Sequence, residues 1–136
     1  MELLKLSEVK TISSIGGGPI GGGWTAFFLS KGFNVVSYLH DKSEEDVFMK
    51  IVNTAWKSLE KLGLAENASL KNLHITSELE KALNGVHFVQ ESAPENLELK
   101  QDLYSKIGQL LPDNIIISSS TSGFMMSEIQ TRCSTP

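Results

Sequence analysis

Five short apolar runs, each followed by a segment with helical spacing, set the rhythm of this chain. Val9–Ile15 and Phe33–Leu39 read as the first two strands, the second broken only by Asn34 and Ser37. Such continuous rather than alternating apolar character is expected where both faces of a sheet are covered. Leu73–Thr76, Val86–Gln90 and Ile115–Ile117 supply three more strands; the last is wholly apolar and so expected at the centre of the sheet. Between them lie helices. Gly21–Ser30 offers Trp24, Phe27 and Phe28 as an apolar face and stops at Gly32. Ser43 suits an N-cap, with Glu44, Glu45 and Asp46 in the first turn, where negative charge complements the helix dipole. Val47, Ile51, Ala55, Leu59 and Leu62 then recur at helical spacing as far as Gly63. Ser77–Leu83 is a short helix, capped by Ser77 and stopped by Asn84-Gly85. Pro94 breaks the chain before a longer helix, Leu97–Leu111, with Leu99, Leu103, Ile107 and Leu110 inward. Pro112-Asp113-Asn114 is a turn, Ser118–Ser122 a hydroxyl-rich loop, and Met126–Cys133 a last helix. Strands alternating with helices in this way predict an α/β fold: a Rossmann-type doubly wound parallel sheet with helices on both faces.

Between the first strand and the first helix stand six glycines in eight residues, in the pattern Gly16-x-Gly18-x-x-Gly21. In a dinucleotide-binding turn the first glycine makes the tight bend and the second lets backbone approach a pyrophosphate. The third lets the helix pack closely on the strand. The phosphates then rest on unpaired N–H groups at the positive end of the helix. Pro19 suits the first helical turn, where its fixed φ fits and its missing N–H costs nothing. Alone, such a run also fits a flexible surface loop. Its place between a strand and a helix, with Val35-Val36 following, makes it the opening of a βαβ unit. No Gly-Lys-Ser/Thr follows, so a P-loop is excluded. Ligands of such sheets bind outside the carboxyl ends of the strands, near the point where strand order reverses. That rule gathers Gly16–Gly21, Leu39–Lys42, Glu91–Glu95 and Ser118–Ser122 around one crevice. The cofactor candidates within it are Gly16, Gly18, Pro19, Ile20, Gly21, Asp41, Ser92 and Ala93.

Composition narrows the partners. The 136 residues fit one dinucleotide-binding domain, and 40% apolar with 21% charged is ordinary for a globular chain. A net charge of −4, with Arg132 the sole arginine, argues against nucleic acid. No apolar run reaches membrane-spanning length, and Met1–Lys10 lacks the apolar core of a signal peptide, so a membrane is not expected and the cytoplasm is the default address. Cys133 is alone, which excludes an internal disulfide and leaves a metal cluster without thiolate partners; no metal is expected. His40, His74 and His87 read as surface or strand-edge residues.

Four segments carry a family likeness. Ile15–Trp24 (IGGGPIGGGW), Asn53–Leu64 (NTAWKSLEKLGL), Phe88–Lys100 (FVQESAPENLELK) and Ser118–Ser122 (SSSTS) resemble the NAD-binding domain of the 3-hydroxyacyl-CoA dehydrogenase family, across nearly the whole chain. Trp24 and the Gln90–Glu95 run resemble the carnitine-oxidising branch, with the gulonate-oxidising branch next. The resemblance implies NAD as cofactor, Gly16, Gly18 and Gly21 at the pyrophosphate, and Glu95 and Lys100 near the nicotinamide ribose. It also implies that Ser122 hydrogen-bonds the 3-hydroxyl or 3-oxo oxygen of a small 3-hydroxy acid. Read as residues alone, Glu95 equally suits a cap for the helix near Leu97, Lys100 a solvated neighbour, and Ser122 a loop hydroxyl bonded to its own backbone.

Two departures from the family pattern stand out. The acid expected after the second strand, which holds the adenosine ribose, falls at position 39, and that residue is Leu39. Either Asp41 reaches the ribose instead or the contact is missing. Lys42 is a conceivable partner for a 2′-phosphate, but no arginine is near, so NAD stands ahead of NADP. Secondly, the family's catalytic histidine and its helical, dimer-forming domain are expected beyond Pro136. This chain alone is therefore expected to bind NAD and turn over little, the full-length form being a homodimer. Two other functions fit the same residues. A 3-hydroxyacyl-CoA enzyme could use Lys50, Lys57 and Lys61 against CoA phosphates, although a solvated helix face explains them too. A non-catalytic binding module is the second.

Overall fold

A computed structural model describes residues 6–93, 96–112 and 114–119. Its strands are β1 (Thr11–Ile15), β2 (Asn34–Tyr38), β3 (Leu73–Thr76), β4 (Phe88–Glu91) and β5 (Ile116–Ser119). Its helices are α1 (Pro19–Ser30), α2 (Glu45–Leu62), α3 (Leu79–Leu83) and α4 (Leu97–Leu110). All four strand pairings are parallel, in the order β3-β2-β1-β4-β5. The chain winds outward from β1 through β2 to β3, crosses back, and continues from β4 to β5. Strand order therefore reverses between β1 and β4, which is where the doubly wound fold opens its crevice.

Pleat alternation assigns the two faces. Ile15, Val89 and the half-buried Ile117 pack with Leu83 of α3 and Ile107 of α4. On the opposite face Val35 packs with Leu29 of α1 and Trp56 of α2, and Leu73 and Ile75 border the Ala26–Phe48–Val52 cluster. Helices thus cover both faces, as the alternation of elements predicts. No described helix is long and apolar enough to cross a membrane.

Three helices turn a different side inward from the one their leucines and aromatics suggest. In α1 the buried residues are Gly21, Gly22, Thr25, Ala26, Leu29 and Ser30, whereas Trp24 is 37% and Phe27 39% exposed. Size decided this. Thr25 donates to Ser14 (2.9 Å) and lies 3.1 Å from the Ser37 hydroxyl, so α1 sits too close to the sheet to place aromatic rings between them. Of the three expected rings Phe28 does border the core, half-buried against the Leu29–Val35–Trp56 cluster, and Trp24 stacks on it at 5.4 Å. In α2 the fully inward row is Phe48, Val52 and Trp56, one residue round from the expected stripe; Ala55 and Leu59 border the core, but Val47 is 60% and Leu62 84% exposed. In α4 Lys100, Tyr104, Ile107 and Gly108 are buried, while Leu99 and Leu110 are about two-fifths exposed at 41% and 42%.

Other boundaries move as well. Ser77 caps nothing: α3 begins after Glu78, whose N–H is taken by the Thr76 hydroxyl. Ser43 does not cap α2; Asp41 caps a 3₁₀ turn over Lys42–Glu44 that leads into it. The apolar run Ile115–Ile117 does not lie at the centre of the sheet. β1 does, and β5 is the edge of the described sheet, running on through Ser118 and Ser119. Apolar character reports how a strand's faces are covered, and the crossovers decide its place in the order. Met126–Cys133 lies outside the described residues.

The revised α2 face has a simple test. Val52→Ala, emptying fully buried space, should destabilise the chain by about 1–3 kcal/mol, and Val47→Ala by less than about 0.5 kcal/mol. Urea unfolding of the two variants separates the faces.

Candidate functional site

The glycine turn is built by close backbone approach. Gly16 has φ +125°, and a Cβ there would stand 2.5 Å from the Ser92 carbonyl oxygen. Its N–H donates to the Tyr38 carbonyl (3.0 Å), and the Ser92 N–H donates to the Ile15 carbonyl (2.7 Å), so β1, β2 and β4 are laced together at their carboxyl ends. A Cβ on Gly21 would collide with the Gly16 carbonyl, which is how closely α1 starts on the strand. Gly18 is the N-cap residue without a side-chain cap, and Pro19 occupies the first turn. Among the described residues, nothing in the protein accepts from the N–H groups of Gly17, Gly18, Ile20 or Gly21. A Cβ on Gly18 would meet nothing within 4 Å. The turn is thus a set of bare amides at the positive end of a twelve-residue helix.

The stretch from Gly17 to Ile20 opens onto a cavity of about 890 Å³, with Gly21 buried behind it. Gly16, Gly17, Gly18, Pro19 and Ile20 form one wall, and Ser92 and Ala93 another. Tyr38, Leu79, Leu99 and Leu103 make an apolar side, and His40, Ser43, Glu44 and Val47 a more polar rim, with Asp102 and Lys106 beyond. Leu99, expected in the core, is therefore a cavity residue, whereas Leu103 both lines the cavity and packs against the Ile107 core cluster. A second hollow, of about 610 Å³, follows α3 from Glu78 to Asn84, where the exposed Lys81–Glu78 pair (2.7 Å) lies. It contains no glycine turn.

Of the other candidates, Asp41 is not on the cavity wall. Its carboxylate accepts from the Ser43 N–H (3.0 Å), while the Glu44 carboxylate reaches back to the Asp41 N–H (3.5 Å), a reciprocal capping box. The Ser43 backbone N–H, then the Ser43 hydroxyl, hold the Asp41 carboxyl below the usual carboxylate range. The cap is accordingly present above the ordinary range and is lost as pH falls through the lowered value. Glu95 and Ser122 lie outside the described residues.

Lys100 is neither solvated nor on the cavity wall. It is fully buried, with its ammonium 3.3 Å from the Glu91 carboxylate, itself fully buried. Glu91 also accepts from the Ala93 N–H (2.6 Å), the Tyr104 hydroxyl (3.2 Å) and the Ser119 hydroxyl (2.5 Å). One carboxylate at the end of β4 thereby fixes the following loop, the first turns of α4 and the end of β5. Sequence reading misses this node, although an acid and a lysine nine residues apart across a helix start are its trace. His87 Nδ1 accepts from the N–H groups of Lys10 and Thr11, each at 3.1 Å, clamping β1 to the start of β4. No group of three or more metal-ligating side chains occurs among the described residues.

Residues 11–136 match the family model of the 3-hydroxyacyl-CoA dehydrogenase NAD-binding domain. The chain belongs to this family. Among relatives of the 3-hydroxyacyl-CoA dehydrogenase NAD-binding domain, L-carnitine dehydrogenase of Nocardiopsis dassonvillei is 45% identical over 128 residues, 94% of this chain and 39% of that protein. The L-carnitine dehydrogenase of Streptomyces coelicolor is 42% identical over 95% of this chain and 41% of its own length. The chain thus spans about two-fifths of the relatives it matches. In structure it resembles an NAD⁺-dependent dismutase, 5-formyl-3-hydroxy-2-methylpyridine 4-carboxylic acid 5-dehydrogenase (TM-score 0.84, 28% identity, 94% of this chain and 42% of that one). It shares its fold with 3-hydroxybutyryl-CoA dehydrogenase of Escherichia coli (TM-score 0.82, 24% identity, 95% of this chain and 28% of that one). The resemblance seen in the sequence and the Rossmann-type fold are both borne out, and NAD is the cofactor of the family.

Proposed function

We propose that the chain is the cofactor-holding part of an NAD-dependent dehydrogenase that oxidises C3 of a small 3-hydroxy acid, with carnitine the first candidate. The observation that carries it is the row of amides at Gly17, Gly18, Ile20 and Gly21, unpartnered among the described residues, the first three on the wall of a cavity of dinucleotide size. The residues present fit the cofactor: the amides suit a diphosphate, the Tyr38–Leu79–Leu99–Leu103 side suits a flat adenine, and the Ser92–Ala93 loop leads toward the nicotinamide half. When bound, NAD supplies the hydride acceptor. The chain's own share is to orient and to keep water out. The Glu91 carboxylate holds the loop and β5 in register, and Ser122 is proposed from the family resemblance to hold the substrate oxygen. A homodimeric, cytoplasmic enzyme belongs to the same proposal and rests on the family likeness and composition.

Identity of 42–45% to L-carnitine dehydrogenases favours carnitine over an acyl-CoA substrate. A chimera tests this, with the chain replacing the matching two-fifths of the Nocardiopsis relative. Carnitine-dependent NADH formation is expected, falling about 10²-fold or more with Ser122→Ala. Turnover of 3-hydroxybutyryl-CoA instead would move the reading to the acyl-CoA enzymes. NADH binding without turnover of either would favour a binding module.

A further inference from the structure

A dinucleotide seat of this kind needs a carboxylate beside the adenosine ribose, because a vicinal diol offers two O–H donors that one carboxylate can accept. Position 39, where the fold calls for it, cannot serve: Leu39 is fully buried beneath the turn, its Cδ2 2.9 Å from where a Gly17 Cβ would stand. Asp41 is spent on the Ser43 N–H and stands off the cavity wall. A third acid takes the place. The capping box folds Glu44 back over the glycine turn, so that its Oε2 lies 3.5 Å from the same Gly17 Cβ position, and Glu44 lines the cavity. Among the described residues, the one hydrogen bond to that oxygen, from the Asp41 N–H, is long at 3.5 Å and leaves accepting capacity on both oxygens.

We propose that Glu44, presented by the 3₁₀ turn after β2, is the residue that holds the adenosine ribose diol and selects NAD against NADP. This deepens the cofactor reading above and rests on it. A 2′-phosphate would bring negative charge against the Glu44 carboxylate. Lys42, the neighbouring lysine, does not line the cavity; among the described residues the lysine on its wall is Lys106, from α4. The side chain that supplies the charge sits five residues beyond the expected position because the 3₁₀ turn doubles the chain back.

The test is titration of NADH and NADPH, followed by nicotinamide fluorescence, into the unaltered chain and its Glu44→Gln, Glu44→Lys and Asp41→Asn variants. Glutamine preserves the capping box, so Glu44→Gln should unfold at the same temperature as the unaltered chain. It should bind NADH about 10-fold more weakly and narrow the NADH:NADPH ratio by at least that factor. Glu44→Lys should reverse the preference toward NADPH, and Asp41→Asn should change NADH binding by less than about 3-fold. If the unaltered chain binds NADH and Glu44→Gln binds it equally well, the assignment of Glu44 falls while the cofactor reading stands. If Asp41→Asn rather than Glu44→Gln loses affinity, the ribose acid is Asp41. If the unaltered chain binds neither nucleotide, the cofactor reading itself falls and takes Glu44 with it.

Discussion

Gly18→Asp is expected to abolish NADH binding while leaving the fold intact. Aspartate is among the best N-cap residues, and position 18 already has the extended backbone of a cap, φ −80° and ψ −173°. A side chain there meets nothing within 4 Å. The variant should therefore unfold at the same temperature as the unaltered chain or slightly above it. Its carboxylate, however, stands at the amides proposed to receive a diphosphate. Like charges a few ångströms apart in a partly desolvated site repel by several kcal/mol, so NADH affinity should drop by at least ~100-fold. Thermal unfolding with a fluorescence titration separates the two effects. A variant that binds NADH normally would place the diphosphate elsewhere. Substitution at Gly21 is a poorer test, because its Cβ collides with the Gly16 carbonyl and would damage fold and site together.

Lys100→Met should be strongly destabilising despite its conserved volume. It leaves Glu91 fully buried without its cation, and removing one member of a buried pair typically costs about 3–5 kcal/mol. Against a total stability of roughly 5–15 kcal/mol that is a large fraction. Glu91→Gln combined with Lys100→Met should recover part of the loss, since the amide oxygen still accepts from Ala93, Tyr104 or Ser119 without a buried charge. Denaturant unfolding of the two singles and the double measures the coupling. Additive losses would mean that the pair is not the source of the effect.

The layout of the molecule was legible because it rests on local signals. Strand and helix periods, glycines at 16, 18 and 21, and the proline at 19 all act on neighbouring residues, and together they give the parallel α/β class and the turn, though not the place of each strand in the sheet. What escaped depends on distance. Which side of α1 faces the sheet was decided by the hydroxyls of Ser14 and Ser37 on other elements, which draw Thr25 in and leave Trp24 and Phe27 outside. Leu99 and Lys100 exchanged their expected roles for the same reason. Glu91, far from α4 in hydropathy but adjacent in space, recruits the lysine inward and turns the leucine to the cavity. Glu44 looks in sequence like a charge favouring a helix start, and only the capping box shows it bent back over Gly17.

The central claim, that the amides of the glycine turn receive the diphosphate of NAD, is tested most directly by residue-resolved NMR. NADH titrated into the ¹⁵N-labelled chain should give saturable shifts largest at Gly17, Gly18, Ile20 and Gly21, with half-saturation below about 1 mM. Absence of shifts at millimolar NADH, or shifts confined to the hollow along α3, would contradict it.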